Sequence, residues 1–204
     1  MSVAFIFVTP VQVFGEIVDT GFENRHTYRV DTRSDDDDHS FYITRAAGYL
    51  DFKCPLLERT FRIAPFFEYQ SNFDTNTWWR KELGAEIGTS FFNDILYYGA
   101  SLQYVWQKLD NYPVEDTTET AEWESRFVIT PPINWWIFGD TLFLRLFNEY
   151  TIDLERGQGT FNEVGVVFDW QVLDWLRLPM GYRHVDRVHD YDADTLEFSV
   201  VFSF

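Results

Sequence analysis

The chain has 204 residues, a formal net charge of −17, 46% hydrophobic residues and a mean hydropathy of −0.25. This length suits a single domain spanning residues 1–204, and the excess of acid excludes nucleic-acid binding, which needs clustered Lys and Arg. No stretch approaches the roughly 20 apolar residues of a spanning helix, and the single cysteine, Cys54, excludes an intrachain disulfide and a Cys-based metal site.

Residues 1–15 are free of charge but broken by Ser2, Thr9, Pro10 and Gln12. The first basic residue is Arg25, so no positively charged leader segment is evident and a processed or recombinant chain is expected. Residues 11–30 alternate in polarity but change parity near Asp19, Thr20 and Gly21. A bulge in one long strand gives about ten strands in all. A turn between two short ones allows twelve. Ten is preferred, because eight-residue strands are short for a tilted span of roughly 9–11 residues.

Phe41–Lys53 and Phe61–Gln70 are strand-like with mixed faces. From Phe61 onward the period is two. In Trp78–Phe91 the apolar face is Trp79, Leu83, Ala85, Ile87 and Phe91, against Arg80, Glu82, Gly84, Glu86, Gly88 and Ser90. In Leu96–Trp106, Leu96, Tyr98, Ala100, Leu102, Tyr104 and Trp106 oppose Gly99, Ser101 and Gln103. Trp123, Phe127 and Ile129 oppose Glu122, Glu124 and Arg126. Leu142, Leu144, Leu146, Tyr150 and Ile152 oppose Arg145, Glu149 and Asp153. Val164, Val166, Phe168, Trp170 and Val172 oppose Glu163, Gly165, Asp169 and Gln171, and Leu178, Met180 and Tyr182 oppose Arg177, Gly181 and Arg183.

Connections alternate in kind. One set is polar and mostly longer: Asp31–Ser40, Ser71–Asn76, Lys108–Thr120, Glu155–Thr160 and Asp186–Asp194. The other is tight or apolar: Cys54–Leu57, Phe92–Asp94, Pro131–Asp140 and Leu173–Trp175. Charges share a face with glycines and serines, so the sheet reads as inside-out. The expected fold is all-β, a closed antiparallel up-and-down transmembrane barrel with long loops outside and both termini periplasmic. Aromatic residues, 20% of the chain, sort to strand ends. Trp79, Trp106 and Trp123 fall at one level and Trp135, Trp136, Trp170 and Trp175 at the other, as in the two girdles of a membrane barrel.

The last strand carries Leu196, Phe198, Val200, Phe202 and Phe204 in alternation with Glu197, Ser199, Val201 and Ser203. It resembles the C-terminal strand of bacterial outer-membrane β-barrel proteins, which typically ends in Phe. That resemblance implies a bacterial outer-membrane location and recognition of Phe198, Phe202 and Phe204 by the barrel-assembly machinery. Lipid is then the permanent partner, with other envelope proteins as candidate partners.

Two candidate sites follow. The first is the lumen, where Arg45, Arg62, Arg80, Arg126, Arg145, Arg177 and Arg183 meet Glu68, Glu82, Glu86, Glu124, Glu149, Glu163, Asp169 and Glu197. Small barrels are usually filled by side chains, so the leading expectation is a plugged barrel with a structural or interaction role, or a subunit of an envelope complex. The alternative is a narrow, weakly cation-preferring channel for small solutes. The second site is the seam, where Asp36, Asp37, Asp38 and His39 come near His189 and Asp190 once the first and last strands pair. No resident cofactor is expected, beyond weak Ca²⁺ or Mg²⁺ binding at these carboxylates. His184, His189 and Asp190 superficially resemble the rim Asp–His chemistry of omptin proteases, but the chain is shorter and no omptin motif matches residue by residue. No Gly-x-Ser-x-Gly occurs either, and catalysis is not expected.

Overall fold

The computed structural model describes residues 16–32, 40–72, 78–108, 117–133, 140–187 and 192–204. Among them run ten strands: β1 (Glu16–Asp31), β2 (Phe41–Cys54), β3 (Arg59–Asn72), β4 (Trp78–Phe91), β5 (Leu96–Lys108), β6 (Thr117–Ile129), β7 (Leu142–Asp153), β8 (Gln158–Leu173), β9 (Leu176–Arg187) and β10 (Ala193–Ser203). Each pairs antiparallel with its sequence neighbour, and β10 returns to β1 to close a barrel. The closing ladder runs from Glu23↔Ser203 to Asp31↔Thr195. Beyond it Phe22 and Phe204 exchange both backbone hydrogen bonds at 2.9 Å. Closure removes every strand edge, which is what lets a sheet stand in hydrocarbon.

The parity change in the first strand is a bulge. Ile17 pairs with Phe52 and Asp19 with Asp51, which leaves Val18 as an extra residue within one continuous β1. The barrel therefore has ten strands rather than twelve. A second bulge corrects the reading of β4. Gln70 pairs with Arg80 but Ser71 pairs with Trp78, so Trp79 is the extra residue. Trp78 is thereby left on the outer wall, where Lys81 Nζ lies 4.3 Å from its ring centroid. Trp79 turns into the barrel and stacks on the buried Phe41, with ring centroids 6.0 Å apart. Simple alternation had placed Trp79 in the girdle. A single inserted residue inverts the parity that such a reading depends on.

Elsewhere the two faces separate as the alternation requires. Leu83 and Leu102, on the outer wall, are 56% and 54% exposed, whereas Val105 and Val201, which point inward, are fully buried. Phe127, Leu146, Phe168, Met180 and Phe198 continue the apolar outer surface. A wall this apolar in contact with water would aggregate; in lipid it is solvated. Trp106 and Trp123 are on the outer face towards the end that carries the long loops. Trp170 and Trp175 lie towards the opposite end, where Trp175 stacks on Phe202 at 6.3 Å. The described ends of β1 and β10 share that opposite end with the turns 55–58, 92–95 and 174–175.

Side-chain volume inside the wall is handled by a repeated unit. Gly21, Gly84 and Gly165 pair directly with Tyr49, Phe66 and Phe147 on the adjacent strand. Each ring lies over its glycine. A Cβ on Gly84 would come within 2.8 Å of Phe66 Cζ, and one on Gly165 within 2.5 Å of Phe147 Cζ. On each of the same rings rests an arginine: Arg62 on Tyr49 at 4.2 Å, Arg45 on Phe66 at 3.9 Å and Arg183 on Phe147 at 4.5 Å. Glycine makes room for the ring, and the ring sets the height and direction of the guanidinium.

Two outcomes are expected in unfolding titrations in lipid or detergent. Leu102→Arg, at the middle of β5, should cost about 2–4 kcal/mol, the figure for a cation on the lipid face at mid-depth. A change at the exposed Glu155 should remain within about 0.5 kcal/mol. Equal tolerance at both positions would refute the assignment of faces. Gly165→Val should cost about 1–3 kcal/mol by overpacking, since its Cβ also approaches Tyr182 O to 2.4 Å.

Candidate functional site: the charged lumen

All fourteen side chains assigned to the lumen from the alternation (Arg45, Arg62, Arg80, Glu82, Glu86, Glu124, Arg126, Arg145, Glu149, Glu163, Asp169, Arg177, Arg183 and Glu197) stand at inward positions of the ladder. Glu23, Arg25, Arg29, Asp51 and Glu122 join them. The residues from β1 were hidden by the bulge at Val18, which shifts the alternation of the strand by one. Glu122 shares a face with Glu124 and Arg126, so its signal was present in the period.

The charges form three groups. Against the β4–β6 wall, Arg80 is bonded to Glu82, to Glu122 Oε2 at 2.5 Å and to Gln107 Oε1 at 3.0 Å. This group is the driest, with the side chains of Arg80 and Glu122 only 8% and 3% exposed. A charge-assisted, multiply bonded cluster of this kind resists water because each partner satisfies the others.

The second group crosses the barrel. Arg29 Nε meets Glu197 Oε1 at 2.6 Å, and Arg183 Nε reaches the same oxygen at 3.0 Å. Arg183 Nη1 also bonds Glu163 and, at 2.6 Å, Glu149 Oε2, while Arg126 Nε lies 3.0 Å from Glu149 Oε1. Glu149 and Glu163 are directly opposite each other across β7 and β8. Two like charges at that separation need a cation between them, and Arg183 supplies it. Arg45 forms looser contacts of 3.7 Å to Glu68 and 3.5 Å to Glu86, whose other oxygen accepts from Tyr97 OH at 2.5 Å.

The third group lies towards the turn end. Arg177 spans from Asp169 Oδ2 at 2.9 Å to Glu23 Oε2 at 2.6 Å, across the seam. Arg145 shares the same Asp169 oxygen at 2.9 Å, and Arg25 shares Glu23 at 3.2 Å. Two carboxylates thus serve three arginines. Arg62, nearer the end, makes a bidentate pair with Asp51 at 2.7 Å. In the half nearer the loops acids are in slight excess, since Glu68, Glu82, Glu122, Glu149, Glu163 and Glu197 face Arg29, Arg45, Arg80, Arg126 and Arg183.

The seam carboxylates Asp36, Asp37 and Asp38, with His39, His189 and Asp190, lie outside the described residues, as do Trp135 and Trp136. An Asp–His pair does occur nearby: His184 Nδ1 is 2.8 Å from Asp194 Oδ1, which also accepts from Tyr182 OH at 2.5 Å. All three stand at outward positions of the β9–β10 ladder. The pair is on the wall, in the place of an interfacial anchor, rather than in a rim cleft.

Removing the central cation tests the crossing group. Arg183→Ala leaves Glu149, Glu163 and Glu197 facing one another, and should destabilise the barrel by about 3 kcal/mol at neutral pH. The deficit should shrink as pH falls and the three carboxylates protonate. Denaturant midpoints across pH 4–8 check this. A loss of stability that did not vary with pH would point to lost packing on Phe147 instead.

No family model matches the sequence, and no curated protein matches it. Among solved structures the chain is similar to the NanC porin, at 13% identity and a TM-score of 0.47, over 89% of this chain and 98% of that one. It is also similar to the KdgM porin in complex with disordered oligogalacturonate, at 10% identity and 0.47, over 90% and 99%. A third likeness is to OpdK of Pseudomonas aeruginosa with vanillate, at 9% identity and 0.37, over 92% and 60%. Closed by its own first and last strands, apolar outside and charged within, this chain has the fold of a transmembrane β-barrel.

Proposed function

We propose that the barrel is a narrow channel for ions and small polar solutes, oriented with the long-loop end outward and both termini periplasmic. The observation that carries this reading is wetness inside the wall. The side chains of Arg25, Arg126 and Arg145 point inward, yet 31%, 27% and 37% of their surface stays open to solvent. A dry plug would bury these guanidinium groups and match each with a carboxylate of its own, because an unmatched buried charge is costly. Here Arg25 and Arg145 each share an acid with Arg177. The open part of each side chain is available to water. The crossing group of Arg29, Arg126 and Arg183 with Glu149, Glu163 and Glu197 forms the constriction.

A structural barrel is the second reading, supported by the density of bonding around Arg183, which reaches three carboxylates. Planar-bilayer recording separates the two. The wild type should pass small, discrete currents, and Arg126→Ala, at the wet edge of the constriction, should raise unit conductance about twofold or more. Silence from both proteins, once each is shown to be folded and inserted, would leave the structural reading standing.

A further inference from the structure

On the outer wall, towards the long-loop end, two lysines stand without an acid. Lys81 alternates with the inward Arg80 and Glu82 on β4 and pairs directly with Trp106. Lys108 ends β5 on the same face as Leu102, Tyr104 and Trp106. Neither lysine forms a hydrogen bond or an ion pair among the described residues, in a chain whose net charge is −17. Glu119, the outward carboxylate opposite Trp106 on β6, accepts instead from Tyr104 OH at 2.6 Å.

Trp78 gathers the two lysines. Lys81 Nζ lies 4.3 Å and Lys108 Nζ 4.7 Å from its ring centroid, so two ammonium groups share one indole. The bulge in β4 makes this possible. With Trp79 as the extra residue, Trp78 and Lys81 stand on the same side of the sheet, although they are three positions apart. Bulges recur where a side chain must be re-aimed towards a site. Together Phe67, Trp78, Trp106 and Lys81 line an open groove of about 350 Å³ on the wall. An indole face attracts a cation but accepts no ordinary hydrogen bond, so the N–H groups of both ammonium ions are left for another acceptor. Two like charges on one ring also repel each other and call for an anion between them. The matching occupant has an anionic head of nearly two charges and an apolar body that fits the groove. A phosphate monoester carries about −1.5 to −2 at neutral pH, whereas a phosphodiester carries a single charge. Free phosphate would satisfy the lysines and leave the groove empty.

We propose that this groove holds a phosphomonoester lipid, the phosphorylated glucosamine lipid (lipid A) of the outer leaflet. Its phosphate bridges Lys81 and Lys108, and an acyl chain lies against Phe67 and Trp106. The choice of leaflet rests on the proposed orientation, with the long-loop end outward; the site does not depend on conduction. Lysines and aromatic rings at this level also serve as general anchors. A site differs from an anchor in holding one lipid in fixed ratio, by its phosphate.

The test is native mass spectrometry of the delipidated barrel in detergent. It is titrated with lipid A, with the same lipid stripped of its phosphates, and with phosphatidylglycerol. One lipid A should bind saturably, and the other two about tenfold more weakly, the worth of one charge-assisted hydrogen bond. Lys81→Gln and Lys108→Gln should each weaken lipid A to a similar degree, and the double variant should lower it to the level of phosphatidylglycerol. Trp78→Leu releases both lysines from their shared ring and should weaken lipid A as well, so a folding defect in one variant leaves the others decisive. Equal binding of phosphatidylglycerol, or lipid A binding unchanged in the double variant, overturns the proposal. So does displacement of lipid A by millimolar inorganic phosphate, which would assign the lysines to a free anion. An epitope inserted at Glu155, at the same end of the barrel, tests the orientation separately in intact and permeabilised cells. An epitope hidden in intact cells would overturn the outer-leaflet lipid as occupant even where binding in detergent stood. Lipid A binding by a barrel silent in bilayers would uphold the site and remove the channel.

Discussion

The ladder between β1 and β10 is the constraint from which the rest follows. Hydrocarbon cannot hydrogen-bond a free N–H or C=O, so a sheet within it must close on itself. Closure of ten strands divides the side chains into two populations with no exchange between them, an outer one solvated by lipid and an inner one confined to a narrow bore. The outer population can be repetitive, and it is: Leu, Val, Phe and Met with similar exposure. The inner one has to fill a tapered volume, remain compatible with water and balance its own charge.

The glycine–ring–arginine units meet these demands together. A phenyl or phenol ring over a cross-strand glycine occupies volume without bringing charge. The guanidinium on the ring then brings charge at a fixed distance from the wall, and its far side is left to reach carboxylates one or two strands away. Arg183 illustrates the result: seated on Phe147, it binds Glu149, Glu163 and Glu197 on three different strands. Loss of the ring would free the arginine to follow any one acid, and the coupling between strands would weaken with it. The lumen is therefore cross-braced through side chains as well as through the backbone ladder.

Most of this was legible in the sequence because a strand has a strict period of two. Arg80, Arg126 and Arg183 could be placed in the bore from alternation alone, and the acids with them. What alternation could not carry was the effect of single inserted residues. Val18 shifted β1 by one step and hid Arg25, Arg29 and Glu23; Trp79, itself the inserted residue, looked like a girdle tryptophan. The pairings inside the bore were likewise illegible, since Arg29–Glu197 and Arg177–Glu23 join positions 168 and 154 residues apart whose contact depends on register and closure. The expectation of a filled barrel came from strand number alone, which says nothing of how three guanidinium groups come to share two acids in the bore.

The uneven division of charge along the bore has an electrical consequence. Carboxylates predominate in the half nearer the loops, while Arg25, Arg145 and Arg177 share Glu23 and Asp169 in the other. Fixed charges of opposite sign in series along a bore, acting over a Debye length of about 8 Å at physiological ionic strength, form a junction. Under one polarity mobile ions accumulate on both sides of it, and under the other they are drained away. In the channel we propose, current would rectify, and the rectification would fade as added salt shortens the reach of the fixed charges.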